Sequence, residues 1–122
     1  MQRDTLQERV ESMATIVFNS KYVHDDKAVV FKGHYGNGDP ALVLRSSFGE
    51  PLCTPTVNLE AYGEHPAEGN VFLYGDYAEH EGVWQGLHKA GVVGNVIRII
   101  QGPHDAEFYE CPLLRTDLAT LS

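Results

Sequence analysis

Apolar and polar residues alternate at period two through most of this chain, the signature of strands with one buried face. Ala14, Ile16 and Phe18 alternate with Thr15, Val17 and Asn19. After the polar turn Asn19–Lys27, a second strand runs from Ala28 to Tyr35, with Val29, Phe31 and Tyr35 on one face and Val30, Lys32 and His34 on the other. Tyr35–Leu59 is the organising stretch. Its apolar runs, Ala41–Leu44 and Leu52–Leu59, flank Phe48-Gly49-Glu50-Pro51, and Asn37-Gly38 and Asp39-Pro40 stand in front. Asn-Gly tolerates the positive φ that tight turns demand, and Gly-Glu-Pro gives a second reversal. Three antiparallel strands joined by two short turns follow. Pro55 has no N–H to give a ladder, so its strand belongs at an edge or carries a bulge. Val71–Tyr74, Asn95–Gln101 and Ala106–Leu114 read as further strands, with Glu60–Asn70 a surface loop and Arg115–Ser122 a loose tail.

The period changes to that of a helix once, over Tyr77–Ala90. Val83, Trp84, Leu87 and Ala90 recur at helical spacing, Asp76 and Glu79 stand in capping-box positions, and Gly91 supplies the stop. Gly82 and Gly86 each weaken such a helix by about 1 kcal/mol relative to alanine. Tertiary packing must therefore hold it, with Trp84 as anchor. A shorter amphipathic pattern, Leu6, Val10 and Met13, makes residues 1–12 a short helical extension, and Met13 a candidate translation start. The expected architecture is α+β: a mainly antiparallel twisted sheet of about six or seven strands, with the helix on one face. The 122 residues form one domain.

Charge narrows the partners. Seventeen acidic residues against nine basic give a net charge of −8. Such a surface repels phosphate backbones and suits a basic partner. Cys53 and Cys111 lie far apart without CxxC spacing, and read as buried reduced thiols. No apolar run is long enough for a membrane helix, and the N-terminus lacks a signal-peptide pattern; a cytoplasmic location is expected.

Candidate chemistry is thin. The six histidines include no HxH or HxxxH pair, and His80 and His88 on one helix would stand roughly 12 Å apart, too far to share an ion. Both cysteines fall on strands, where a thiol is inert packing. The glycines of Gly33–Gly38 follow neither the GxGxxG nor the Walker order and precede a strand. Neither a catalytic residue, a cofactor site nor a metal site is expected.

The placement of charge is more informative. Residues 46–88 contain no lysine or arginine, yet hold Glu50, Glu60, Glu64, Glu68, Asp76, Glu79 and Glu81. If the loop and the helix start share a face, Glu60, Glu64, Glu68, Asp76, Glu79 and Glu81 form an acidic patch able to attract a basic groove. A solvated loop with an acidic helix start is the plainer alternative.

Tyr35, Asn37 and Gly38, then Gly49-Glu50-Pro51, Thr56-Val57-Asn58-Leu59 and Cys111-Pro112-Leu113 together make a recognisable series. Over about residues 28–114 the chain resembles a family of small bacterial proteins (domain of unknown function 4313) carried on plasmids, phages and integrative elements. The loop Glu60–Asn70 and the N-terminal segment are longer here. The resemblance implies a mobile-DNA context and no chemistry. The resulting expectation is a small acidic, non-enzymatic binding protein of a mobile element, an anti-CRISPR or other anti-defence inhibitor. It would occupy a basic site on a nucleic-acid-binding effector complex, CRISPR or restriction. Two alternatives stand beside it: a small metal-dependent or hydrolytic enzyme, and an oligomerising regulatory module, in the simplest case a homodimer.

Overall fold

The computed structural model describes residues 15–121. The N-terminal helical extension expected over residues 1–12, and Met13, lie outside them. Eight strands form two sheets rather than one. The larger sheet has five strands, four of them antiparallel in the order β1 (Thr15–Asn19), β2 (His24–His34), β3 (Pro40–Arg45) and β4 (Pro51–Cys53). The smaller has β7 (Glu107–Pro112) between β5 (Asn70–Tyr74) and β6 (Arg98–Gln101), again antiparallel. The chain is α+β and mainly antiparallel, as its periodicity implies.

The second sheet arises where the expected strand Leu52–Leu59 divides. Pairing with β3 ends at Cys53, and the chain then crosses to the other sheet. There the Tyr74 N–H donates to Pro55 O at 3.0 Å and the Val57 N–H to Phe72 O at 3.1 Å. Pro55 serves as an acceptor, the one backbone role open to it. Between them the buried Thr56 ties the sheets together, since its Oγ1 accepts the Leu42 N–H of β3 at 3.0 Å. The turns behave as expected, with positive φ at Gly38 and Gly49.

The helix is shorter than expected. A 3₁₀ turn occupies Ala78–His80, and α1 spans only Val83–Lys89. Gly82 at φ 85° breaks the two apart, and Asp76 accepts the Gly82 N–H at 2.6 Å instead of capping a helix at Tyr77. Gly86 then explains itself. A Cβ there would stand 2.3 Å from the Asn19 carbonyl oxygen, so α1 packs backbone against β1. The tail is not loose either: β8 (Ala119–Thr120) pairs in parallel with Phe31 and Lys32 of β2.

One core lies between the two sheets and α1. Phe18, Val30, Leu42, Leu44, Val71, Leu73, Leu87 and Cys111 are all buried in it. On the other side of the smaller sheet, Phe72 and Phe108 pack beneath Leu59. Glu110 is buried at the margin of that face. It accepts the Ala67 N–H at 2.9 Å, Asn70 Nδ2 at 2.8 Å and Arg98 Nε at 2.9 Å, and so pins the loop before β5.

Candidate functional site

Where the chain crosses between sheets it leaves a cleft of about 630 Å³. Tyr35, at the end of β2, and Leu52–Thr54 supply one wall; Thr56–Asn58 and Tyr74 supply the other. Tyr22 and Val23 come from the β1–β2 turn, and Glu79 and His80 from the 3₁₀ turn. That turn is held in place by the β1–β2 turn. The Lys21 N–H donates to Glu81 O at 3.0 Å, and Lys21 Nζ to Glu81 Oε2 at 2.8 Å. Ala78 adopts φ 50° within it, a conformation L-residues take at a cost.

The cleft sets aromatic and polar side chains beside the apolar Val23, Leu52 and Val57. The Tyr74 and His80 rings stack with centroids 3.9 Å apart and planes 13° from parallel. Tyr77 meets His80 edge-on at 6.3 Å, and Phe108 meets Tyr74 at 6.0 Å. Burial lowers the His80 pKa, against a smaller upward pull from Glu79, so the ring is neutral at pH 7. Burial raises the Tyr35 pKa, opposed by its hydrogen bond with Thr56 and helped by Tyr74.

Tyr35 Oη and Thr56 Oγ1 are 3.1 Å apart. Thr56 Oγ1 also lies 3.4 Å from Leu42 O. The Tyr35 oxygen has two lone pairs, so at least one faces no protein donor whichever hydroxyl donates in that bond. Glu79 is the one residue of the lining charged at neutral pH; no lysine or arginine contributes.

The six expected site residues stand in different surroundings. Glu79 lies in the wall of the cleft. Glu60 stands two residues beyond Asn58 at the other wall, its N–H donated to Asn58 Oδ1 at 3.1 Å. Both are exposed, with no ion-pair partner among the described residues. Asp76 is exposed but engaged by the Gly82 N–H. Cations interrupt the series at two points: Arg98 Nη1 lies 2.8 Å from Glu64, and Lys21 pairs with Glu81. Glu68 belongs to a different groove, beside Lys32 and Arg115.

Sequence reasoning missed the cleft itself. The rings of its lining, Tyr22, Tyr35, Tyr74 and His80, come from three separate segments, and only Tyr74 and His80 are near neighbours in the chain. Among the described residues no three His, Cys, Asp or Glu side chains converge to hold a metal ion. Burial pushes both thiols, Cys53 and Cys111, up to about 12, with Glu110 adding to the rise at Cys111. Neither is a nucleophile near neutral pH. No helix of the described residues is long and apolar enough to cross a membrane.

No family model, curated protein or solved structure matches the chain.

Proposed function

We propose that this is a non-enzymatic binding protein that uses exposed carboxylates, Glu60 and Glu79 at the inter-sheet cleft and Glu68 in a second groove, to occupy a basic surface on a protein partner. The observation that carries the reading is the imbalance over residues 46–88: seven acids, no lysine and no arginine. Glu50, Glu60, Glu68, Asp76 and Glu79 have no ion-pair partner among the described residues. A surplus of this kind steers association with cationic grooves and discourages binding to phosphate backbones. The partner class we put forward is a cytoplasmic nucleic-acid-binding effector complex, CRISPR or restriction, which must itself be basic where it holds its nucleic acid. The motif resemblance to mobile-element proteins supports that choice by analogy of context.

The geometry decides which residues belong in the test. Glu64 and Glu81 are already paired, and Asp76 shapes the turn, so replacing them would confuse binding with folding. The informative variant is Glu60→Gln, Glu68→Gln and Glu79→Gln together. Immobilised wild-type chain is expected to retain a nucleic-acid-binding complex from host extract and to release it when duplex DNA is added. The triple variant, folded but less charged, should retain little. Equal retention by both would remove the basis of the proposal.

A further inference from the structure

The occupant of the inter-sheet cleft can be narrowed from its wall chemistry. Three tyrosines and a neutral histidine line it, and every ring carries negative potential on its faces. Tyr35 offers a lone pair whichever way its hydrogen bond with Thr56 runs. Glu79 supplies the only formal charge, and no cation of the described chain enters the lining to neutralise it. Tyr22 already meets a cation within the chain: Lys21 Nζ lies 5.4 Å from its ring centroid. Ring faces, a carboxylate and free acceptors together complement a donor-rich cation and repel an anion.

We infer that the cleft seats one arginine side chain of the partner, its planar guanidinium lying on the aromatic wall of Tyr22, Tyr74 and His80 and donating to Glu79 and Tyr35. A guanidinium suits this wall better than an ammonium. It is flat, stacks on rings, is weakly hydrated and has five N–H donors to distribute between separate acceptors. The space, about 630 Å³, exceeds one side chain and leaves room for the backbone on either side of it. This rests on the reading of the protein as a binder of basic partners and adds where one anchoring residue goes. Elsewhere on the acidic surface contacts are solvated and interchangeable; here the geometry selects for one chemical group.

The test uses the full chain and the probe acetyl-Gly-Gly-Arg-Gly-Gly-amide, with its citrulline counterpart as the neutral isostere, in nuclear magnetic resonance titrations at low salt. The arginine peptide should shift the side-chain signals of Tyr22, Tyr74 and His80 saturably, and the citrulline peptide should not. Glu79→Gln and Tyr22→Ala should each weaken binding roughly three- to tenfold, the range of a lost ion pair or cation–π contact. Both residues are exposed, and unchanged dispersion of the remaining signals checks that the variants fold. Asp105→Asn, an equal loss of charge on the Pro103–Asp105 turn, should change affinity by less than about twofold, as expected of a screened surface charge.

Unmoved cleft signals, equal binding of the citrulline peptide, or an Asp105→Asn loss matching that of Glu79→Gln would each overturn the inference. The two readings fail separately. Cleft signals that stay still, while partner capture depends on Glu60, Glu68 and Glu79, would leave the acidic binder standing without its arginine socket. Saturable peptide binding combined with partner capture indifferent to those three residues would leave the socket standing and remove the acidic docking surface.

Discussion

One methyl group at position 86 would separate helix from sheet. The Cβ of Gly86→Ala would meet the Asn19 carbonyl at 2.3 Å and Phe18 Cε1 at 2.9 Å, and the first of these is backbone. Alanine is the better helix former by about 1 kcal/mol. Even so, the substitution should destabilise the fold by more than about 2 kcal/mol in urea unfolding, because overpacking outweighs propensity. Ala78 runs the other way. At φ 50° it holds a conformation natural to glycine, so Ala78→Gly should be neutral or stabilise by up to about 1 kcal/mol, although such a change in an ordinary helix is harmful. Glu110 gives the acid response. Burial raises its pKa, but Asn70, the Ala67 N–H and Arg98 outweigh that, and the folded value falls below the ordinary 4.5. Its contribution is present above the unfolded value and disappears as pH drops through the folded one. Glu110→Ala should cost about 2–3 kcal/mol at neutral pH and flatten the acid limb of stability. His65, raised by its hydrogen bond to Asp39, contributes oppositely: its share is complete below 6.5 and fades as pH rises through the folded value.

At the scale of elements, local pattern was a good guide wherever the chain pairs with its neighbour. The Asn37-Gly38 and Gly49-Glu50-Pro51 turns, β3, β5 and β7 all follow from alternation and turn chemistry. What periodicity could not convey is which sheet a strand joins. Within Leu52–Leu59 the polar residues Thr54, Thr56 and Asn58 keep the period of one unbroken strand, and Pro55 alone marks the step at Thr54 where the chain leaves β3 for β5. Pro55 was a genuine signal, since a residue without an N–H often stands where a ladder stops. The helix was over-extended for a similar reason. Asp76 and Glu79 satisfy a capping pattern, while Gly82, treated as a mild weakness, takes the left-handed conformation and ends the turn. β8 has two residues and no pattern of its own, so only tertiary contact reveals it. The junction at Thr56 can be probed directly. Thr56→Val keeps the shape but leaves the Leu42 N–H and the Tyr35 hydroxyl without their partner, and should destabilise by about 1–3 kcal/mol. Hydrogen exchange at Leu42 should accelerate before exchange in the middle of β7 does.

For the whole molecule, the net charge of −8 was visible from composition, but its distribution was not. Arg98 lies outside the cation-free stretch in sequence and returns to Glu64 in space; Lys21 does the same for Glu81. What remains is a smaller set of carboxylates without an ion-pair partner among the described residues, with Glu60 and Glu79 near one aromatic cleft and Glu68 in a second groove. The central claim is that these charges bind a basic protein surface. It is tested most directly by the association constant for the captured complex measured across ionic strength, for wild type and the Glu60, Glu68 and Glu79 triple variant. Screening reaches about 8 Å near 0.15 M salt. The wild-type affinity should therefore fall steadily as salt rises, and the variant should start weaker and decline less steeply. Parallel lines of equal height, or an affinity indifferent to salt, would contradict the account.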